Sequence, residues 1–279
     1  MIKVIGLGDN VVDKYEHIKT MYPGGNAFNF AVFSKKLGIT SAFLGAFGSD
    51  NEALHVKDTA KSLHIDISKC RNFEGENGCA RVTLKDGERI FLGSNSGGVL
   101  KENGLNLTND DLDYINTFDL LHAGLYGYTY PEFDKIKQST SIPISFDFSD
   151  DFTIEDVQRI APKVDFSFFS CSHLNETEIN ELMLKSHVLG SKIVVCTMGE
   201  KGSRLFDGIK FYHQDSSYIE PVDTMGAGDS FITAFTVNYI SNLTKVPHEI
   251  LIKESLSKAN QFSKKTCLCE GSFGYGKTY

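Results

Sequence analysis

Apolar runs of strand length recur along the chain, and the stretches between them have helical spacing. Ile2–Gly6, Ser41–Gly45, Leu120–His122, Ile144–Asp147, Phe166–Phe169 and Ile193–Cys196 are each too short to form a buried helix. Between the first two, Asn26–Leu37 places Phe30, Phe33 and Leu37 on one side and stops at Gly38, and Asn51–Leu63 reads as a second helix. Short runs apolar on both faces, alternating with helices, predict a largely parallel sheet covered by helices. In such sheets ligands gather beyond the carboxyl ends of the strands. Strand order and handedness are not fixed by this pattern.

One interval departs from it. Residues 67–93 hold no ten-residue helical stretch. Ala80, Val82 and Leu84 alternate with Arg81, Thr83 and Lys85, Asp86-Gly87 makes a turn, and Arg89–Leu92 returns, as in a hairpin. With Val12–Met21 as a further strand, this predicts a small sheet outside the core, acting as a lid or a subunit contact. An antiparallel edge on the main sheet is the alternative. The expected division is a core of 1–11, 22–66 and 94–279 and a lid of 12–21 and 67–93.

The 279 residues allow one large core or two unequal domains. A net charge of -8 argues against nucleic acid or an acidic membrane as the main partner, though local donors can still hold an anionic ligand. The opening Met1–Ile5 run is too short for a signal peptide, and no stretch reaches 18 apolar residues. Six cysteines in a chain of this length do not make a secreted disulfide framework, so the cytoplasm is the expected compartment.

Two phosphate-binding patterns match only on paper. Gly271-Ser272-Phe273-Gly274-Tyr275-Gly276-Lys277-Thr278 has P-loop spacing but is followed here by Tyr279 rather than by a helix that could present amides to phosphate. Gly6-Leu7-Gly8 ends a strand, yet Val11 stands where a dinucleotide fingerprint needs its third glycine. Gly6 and Gly8 are expected to be turn glycines, with Asp9 and Asp13 close enough to face a ligand, and the Gly271–Thr278 match is discounted.

The strongest chemical signal is Asp223-Thr224-Met225-Gly226-Ala227-Gly228-Asp229-Ser230-Phe231, which opens an apolar helical stretch. Glycines flanking Ala227 let backbone amides approach an anion at a helix start. Asp229 either takes a proton from a substrate hydroxyl or caps the helix. Pro23-Gly24-Gly25-Asn26 with Asn29 suits polyol hydroxyls. Asn175 and Glu178 share a helical face and either organise metal-bound water or cap a helix, and Thr197, Gly199 and Gly202 follow a strand in a loop suited to phosphate or ribose. Cys267 and Cys269 lack the further ligands of a zinc site, and His122 and His173 read as packing or hydrogen-bonding residues.

Taken together and in order, Gly24-Gly25-Asn26-Ala27-Phe28-Asn29, Asn175-x-x-Glu178, Thr197-x-Gly199-x-x-Gly202 and Asp223–Phe231 resemble the PfkB, or ribokinase-like, carbohydrate kinases from Ile2 to about Gly274. Gly8–Tyr15, Phe146–Asp150 and Phe273-Gly274 look most like the fructoselysine 6-kinases of that family. The resemblance implies a three-layer α/β/α core with a small β-sheet lid, and ATP-dependent phosphorylation of the C6 hydroxyl of a fructosamine such as fructoselysine. It makes Asp229 the general base and Gly226, Ala227 and Gly228 the anion hole. Asp9, Asp13, Gly25 and Asn29 become substrate-binding residues. Asn175 and Glu178 serve Mg2+-ATP, Glu178 through water; Thr197, Gly199 and Gly202 line the nucleotide site, and Asn260 stands beside adenine. A K+ ion near 264–269 and a homodimer joined through the lid belong to the same expectation. Arg81 and Arg89 could meet the carboxylate of a lysine adduct, or lie on a solvated strand face; Asp150 and Glu220 could meet its ammonium. Val11 and Lys264–Cys269 depart from the family pattern. Another sugar, ketose or nucleoside as acceptor, and a catalytically silent sensor of the same fold, are the competing readings.

Overall fold

Val4 and Ile5 are both fully buried, and they belong to different cores on opposite sides of one strand. In the computed structural model, which describes residues 2–85, 88–216 and 219–279 apart from the side chains of Lys85, Glu88 and Arg89, the fold grows from that division.

The first half runs β1 (Lys3–Gly8), β2 (Val11–Tyr15), β3 (Thr20–Gly24), α1 (Asn26–Lys36), β4 (Thr40–Phe47), α2 (Asn51–Ser62), β5 (Arg71–Asn72), β6 (Gly78–Lys85), β7 (Glu88–Ser94), α3 (Val99–Asn103) and α4 (Asn109–Ile115). It continues through β8 (Leu120–Gly124), α5 (Phe133–Ser139), β9 (Ile144–Asp147), α6 (Ile154–Ile160), β10 (Phe166–Ser170), α7 (Glu176–Leu189) and β11 (Ile193–Thr197). The remainder is β12 (Ser203–Phe206), β13 (Phe211–Gln214), α8 (Ala227–Asn242), α9 (His248–Thr266) and β14 (Lys277–Thr278).

The main sheet has the order β13-β12-β11-β10-β9-β8-β1-β4-β5. Its strands from β11 to β5 pair in parallel, and β12 and β13 complete one edge antiparallel. On one face Ile5, Leu7, Leu121 and Val194 pack under α4, α5, α6 and α7; on the other, Val4, Leu120, Phe168 and Val195 pack under α8 and α9. The period-two alternation of the apolar runs thus supplies both faces at once. The result is the three-layer α/β/α core expected from the sequence. No helix among the described residues is long and apolar enough to cross a membrane.

A second sheet, β14-β3-β2-β6-β7, stands beside the main one. Val12–Met21 proves to be two strands joined by a turn, and β6 pairs in parallel with β2, not with the main sheet. The small sheet is also bounded differently from the sequence expectation. Residues 71–72 form β5 on the edge of the main sheet, whereas Lys277–Thr278 pair with Thr20–Met21 in the small one. The P-loop-like segment is therefore a turn leading into a strand. Lys14 and Glu52 form an ion pair that ties β2 to α2.

Candidate active site

The parallel strands β1, β8 and β9 end side by side, with Gly8, Gly124 and Asp147 at their carboxyl ends. The small sheet covers this edge, and between the two lies a cavity of about 530 Å³. Its lining includes Asp9, Asp13, Asp147, Asp150 and Asp229, with Phe91, Tyr126 and Tyr128 among the apolar walls. Among its described lining residues there is no lysine, arginine or histidine.

Two helix starts meet here. Gly25 precedes α1 at φ 103, and a Cβ there would stand 2.7 Å from the Cα of Asn10 and 2.9 Å from the amide nitrogen of Val11, so only glycine lets the β1–β2 connection and α1 approach this closely. Asp9 accepts from the backbone N–H groups of Asn26 (2.8 Å) and Ala27 (3.2 Å) and thus caps α1 from a distance. Burial raises the Asp9 carboxyl above its ordinary pKa, and these two N–H groups oppose the rise. Gly226 precedes α8 at φ 73. Asp229, in the first turn of α8, is gripped by α1: Asn26 Nδ2 donates to its Oδ1 at 2.8 Å and Asn29 Nδ2 to its Oδ2 at 2.5 Å.

Asn26 also donates to Asp147 Oδ2 at 2.9 Å, and the N–H of Ser149 donates to Asp147 Oδ1 at 2.9 Å. Burial, and next the charge of Asp229, push the Asp147 carboxyl up to about 7. Behind Asn26 lies His122, fully buried and stacked on Phe30 with ring centroids 4.5 Å apart. Burial lowers its pKa to about 3, so the ring is neutral.

The residues expected at the nucleotide form a separate, continuous rim outside this cavity. Asn175 caps α7 through the amides of Thr177 and Glu178, and Glu178 Oε2 accepts from the Asn175 N–H at 2.8 Å, a capping box with both side chains exposed. Arg204 on β12 bonds Glu176 at 2.8 Å. Thr197 ends β11, Gly199 and Gly202 turn the chain at φ 58 and φ 84, and a Cβ on Gly202 would collide with the Gln214 carbonyl. Asn260 on α9 donates to the Asp215 carbonyl at 3.0 Å, and Ser263 to that of Ala227 at 2.9 Å, which closes the rim back onto α8.

This arrangement suits a phosphate group. The Ala227 N–H already donates to the Thr224 carbonyl at 3.2 Å, so of the expected anion hole it is the Gly228 end that is open: nothing stands within 4 Å of where a Gly228 side chain would begin. Among the described residues no group of three or more His, Cys, Asp or Glu is placed to hold a metal ion, so phosphate oxygens and water would have to supply most ligands to Mg2+.

Other expectations fall elsewhere. Arg81 is exposed and does not line the cavity: Ala80 and Val82, its neighbours on β6, take the buried positions. The Arg89 side chain lies outside the described residues. Asp150 lines the cavity and Glu220 does not. His173 is exposed, and Cys267 and Cys269 are free thiols at the turn after α9. The sequence motifs contain Asn26 and Asp147 without joining either to Asp229; a carboxylate at a strand's carboxyl end is the signal that marks Asp147.

A family model for "pfkB family carbohydrate kinase" matches residues 1–273. The chain belongs to the PfkB family of carbohydrate kinases. It is 39% identical over its full length to fructosamine kinase FrlD of Bacillus subtilis, covering 95% of that protein. It is 32% identical to fructoselysine 6-kinase of Escherichia coli, over 85% of this chain and 89% of that one. The ribokinase structure from Giardia lamblia shares the fold with a TM-score of 0.84 at 18% identity, covering 99% of this chain and 96% of that one. As a PfkB kinase, the chain is an ATP-dependent sugar kinase.

Proposed function

We propose that this kinase phosphorylates the C6 hydroxyl of a fructosamine such as fructoselysine. The observation that carries the reading is the charge of the cavity: five aspartates line it, with no basic side chain among the described lining residues. Of the five, a neutral sugar would engage Asp229, Asp13 and Asp9 and would bring no counter-charge to Asp147 and Asp150. An acceptor carrying a secondary ammonium next to its sugar, and a second ammonium at its far end, would neutralise several of them. The named activities of the two relatives agree with this chemistry.

In this reading Asp229 takes the proton of the C6 hydroxyl as its oxygen bonds to phosphorus. Bound ATP supplies the phosphoryl group, with Mg2+ balancing its charge. Gly226, Ala227 and Gly228 present the start of α8 to that group. Asp13, Gly25 and Asn29 hold the sugar end, with Asp9 fixing α1 beneath it, and Asp147 and Asp150 face the ammonium groups. Thr197, Gly199, Gly202 and Asn260 take the nucleotide, and Asn175 and Glu178 the edge of its magnesium shell. A K+ ion near 264–269 belongs to the same proposal; close by, the Asp223 carboxylate accepts from the Tyr15 hydroxyl (2.5 Å) and from the N–H groups of Met225 (2.9 Å) and Gly271 (2.9 Å). The working compartment is one that supplies ATP, the cytoplasm.

The small sheet acts as the lid and as the dimer contact. Ile90, Phe91 and Leu92 on its outer strand β7 are 42%, 58% and 49% exposed, an apolar edge suited to a second copy. Sedimentation of wild type and Phe91→Asp tests the contact; a monomeric wild type at micromolar concentration refutes it.

The acceptor is tested with a panel of fructoselysine, other fructosamines, fructose, ribose, ketodeoxygluconate and nucleosides, with the phosphorylated position read by NMR. One or two charged hydrogen bonds to ammonium, about 1.5–3 kcal/mol each, correspond to a kcat/KM preference of roughly 10–10⁴ for fructoselysine over fructose. A preference for an unsubstituted sugar or a nucleoside would refute the fructosamine assignment.

A further inference from the structure

We propose that His122 is a positioning residue, which holds the side-chain carbonyl of Asn26 and so aims the Asn26 N–H2 group at both Asp147 and Asp229. The proposal rests on Asp229 being the general base.

A carboxamide has one accepting end and one donating end of nearly equal size, and rotation by half a turn exchanges them. Asn26 faces acceptors on one side, Asp147 Oδ2 at 2.9 Å and Asp229 Oδ1 at 2.8 Å. Its oxygen therefore needs a donor on the other side. His122 Nε2 stands 3.0 Å from Asn26 Oδ1, and His122 Nδ1 stands 3.0 Å from Ser145 Oγ. Because Asn26 Oδ1 only accepts, the Nε2 must carry the proton, and Nδ1 then accepts from the Ser145 hydroxyl. The chain of donors runs in one direction, Ser145 to His122 to Asn26 to the two carboxylates.

The surroundings leave Asn26 little freedom. Its backbone N–H is held by Asp9. A Cβ on Gly124, the last residue of β8, would stand 2.3 Å from Asn26 Oδ1, so that position must be glycine for the carboxamide to lie where it does. Phe30 stacks on the imidazole and fixes its plane.

The consequence is electrostatic. Asp147 and Asp229 share one donor group and repel each other, and the other charged groups facing them are Asp9 beyond β1, Asp13 on β2 and Asp150 beyond β9. Donors from Asn26 favour the ionised form of both carboxylates. With the amide turned or lost, Asp229 would hold its proton to higher pH and the fraction of competent base would fall.

The test is a pH profile of kcat/KM, with kcat and acceptor KM measured separately, for His122→Leu, His122→Gln and Asn26→Ala. His122→Leu should move the acidic limb up by about one pH unit or more and lower kcat roughly 10–100-fold at pH 7. His122→Gln, whose amide can reach the same donor position, should recover most of that loss. In the Asn26→Ala background, His122→Leu should add less than about twofold, since it acts through Asn26. Should His122→Leu fail to fold, Gly124→Ala displaces the carboxamide with the histidine intact and should shift the limb in the same way. An unmoved limb in a folded variant, equal damage from Leu and Gln, or additive losses in the double variant would each overturn the relay. Asp229→Asn run in parallel separates the two ideas. If it keeps near wild-type turnover, the base assignment fails; if it is inactive while His122→Leu behaves as wild type, the relay alone fails.

Discussion

Replacing Asp229 by Asn alters a cavity carboxylate that α1 grips on both oxygens. In the wild type, Oδ1 accepts from Asn26 at 2.8 Å and Oδ2 from Asn29 at 2.5 Å. An amide in the same place can accept on one side only and turns an N–H2 group toward another on the other, which costs about 1–3 kcal/mol of stability. Part of this is returned, because the charge of Asp229 is the second cause of the raised Asp147 pKa and disappears with the substitution. The fold should therefore survive with a small change in melting temperature. Turnover should not, because an amide has no lone pair basic enough to take the hydroxyl proton. A lost general base corresponds to roughly 10²–10⁴ in rate, or about 2.7–5.4 kcal/mol of barrier. The assay is single-turnover phosphorylation at saturating Mg2+-ATP and acceptor, with nucleotide affinity measured by calorimetry on the same preparation. Asp229→Asn should bind ATP within about threefold of wild type and transfer phosphoryl at least a hundredfold more slowly. A folded variant with a transfer rate within tenfold of wild type would refute the assignment.

Two further outcomes follow from the same geometry. Asp147, held near 7 by burial and by Asp229, keeps a proton in the folded chain between about pH 4 and 7 that the unfolded chain releases, so its contribution to stability falls as pH rises through that window. Asp147→Asn should flatten this fall and raise the melting temperature at pH 7–8; parallel curves for variant and wild type would contradict it. Lys277 sits in β14 against Met21, so Lys277→Ala should leave ATP affinity within about twofold, and a tenfold loss would restore the P-loop-like reading.

The core was legible because burial on both faces leaves a mark in single strands. Val4 beside Ile5 and Leu120 beside Leu121 are apolar neighbours, which only a sheet covered on both sides demands. The start of α8 was legible because Gly226, at φ 73, packs against Ser272 and Gly228 leaves open space beside it, a pairing that no ordinary helix start needs. The join between α1, β8, β9 and α8 was not. His122, Asn26, Asp147 and Asp229 lie between 96 and 203 positions apart where they bond, and no local pattern records such pairing. The small sheet was half legible: the alternation of Ala80 and Val82 with Arg81 showed a strand, and the same alternation turns Arg81 away from the cavity once the buried face is known. Residues 71–72 carry too little apolar pattern to reveal that they pair with Ala46–Phe47. The spacing of Asn175 and Glu178 fits a capping box and a ligand pair equally well, and the structure shows the box.

The small sheet joins remote parts of the chain. Lys277 pairs with Met21, and the Tyr15 hydroxyl reaches Asp223, whose other contacts hold Met225 and Gly271. During synthesis, the strands from β1 to β11 and their helices can leave the ribosome and begin to pack while β2 and β3 still lack β14. Asp229, the proposed proton acceptor, has not yet been translated. A nascent chain thus gains most of its hydrophobic core well before it has a working centre, and joining positions more than 250 residues apart is a slow, late event. Truncation near residue 270 should accordingly yield a protein that holds its layers yet leaves the outer edge of its cover unpaired.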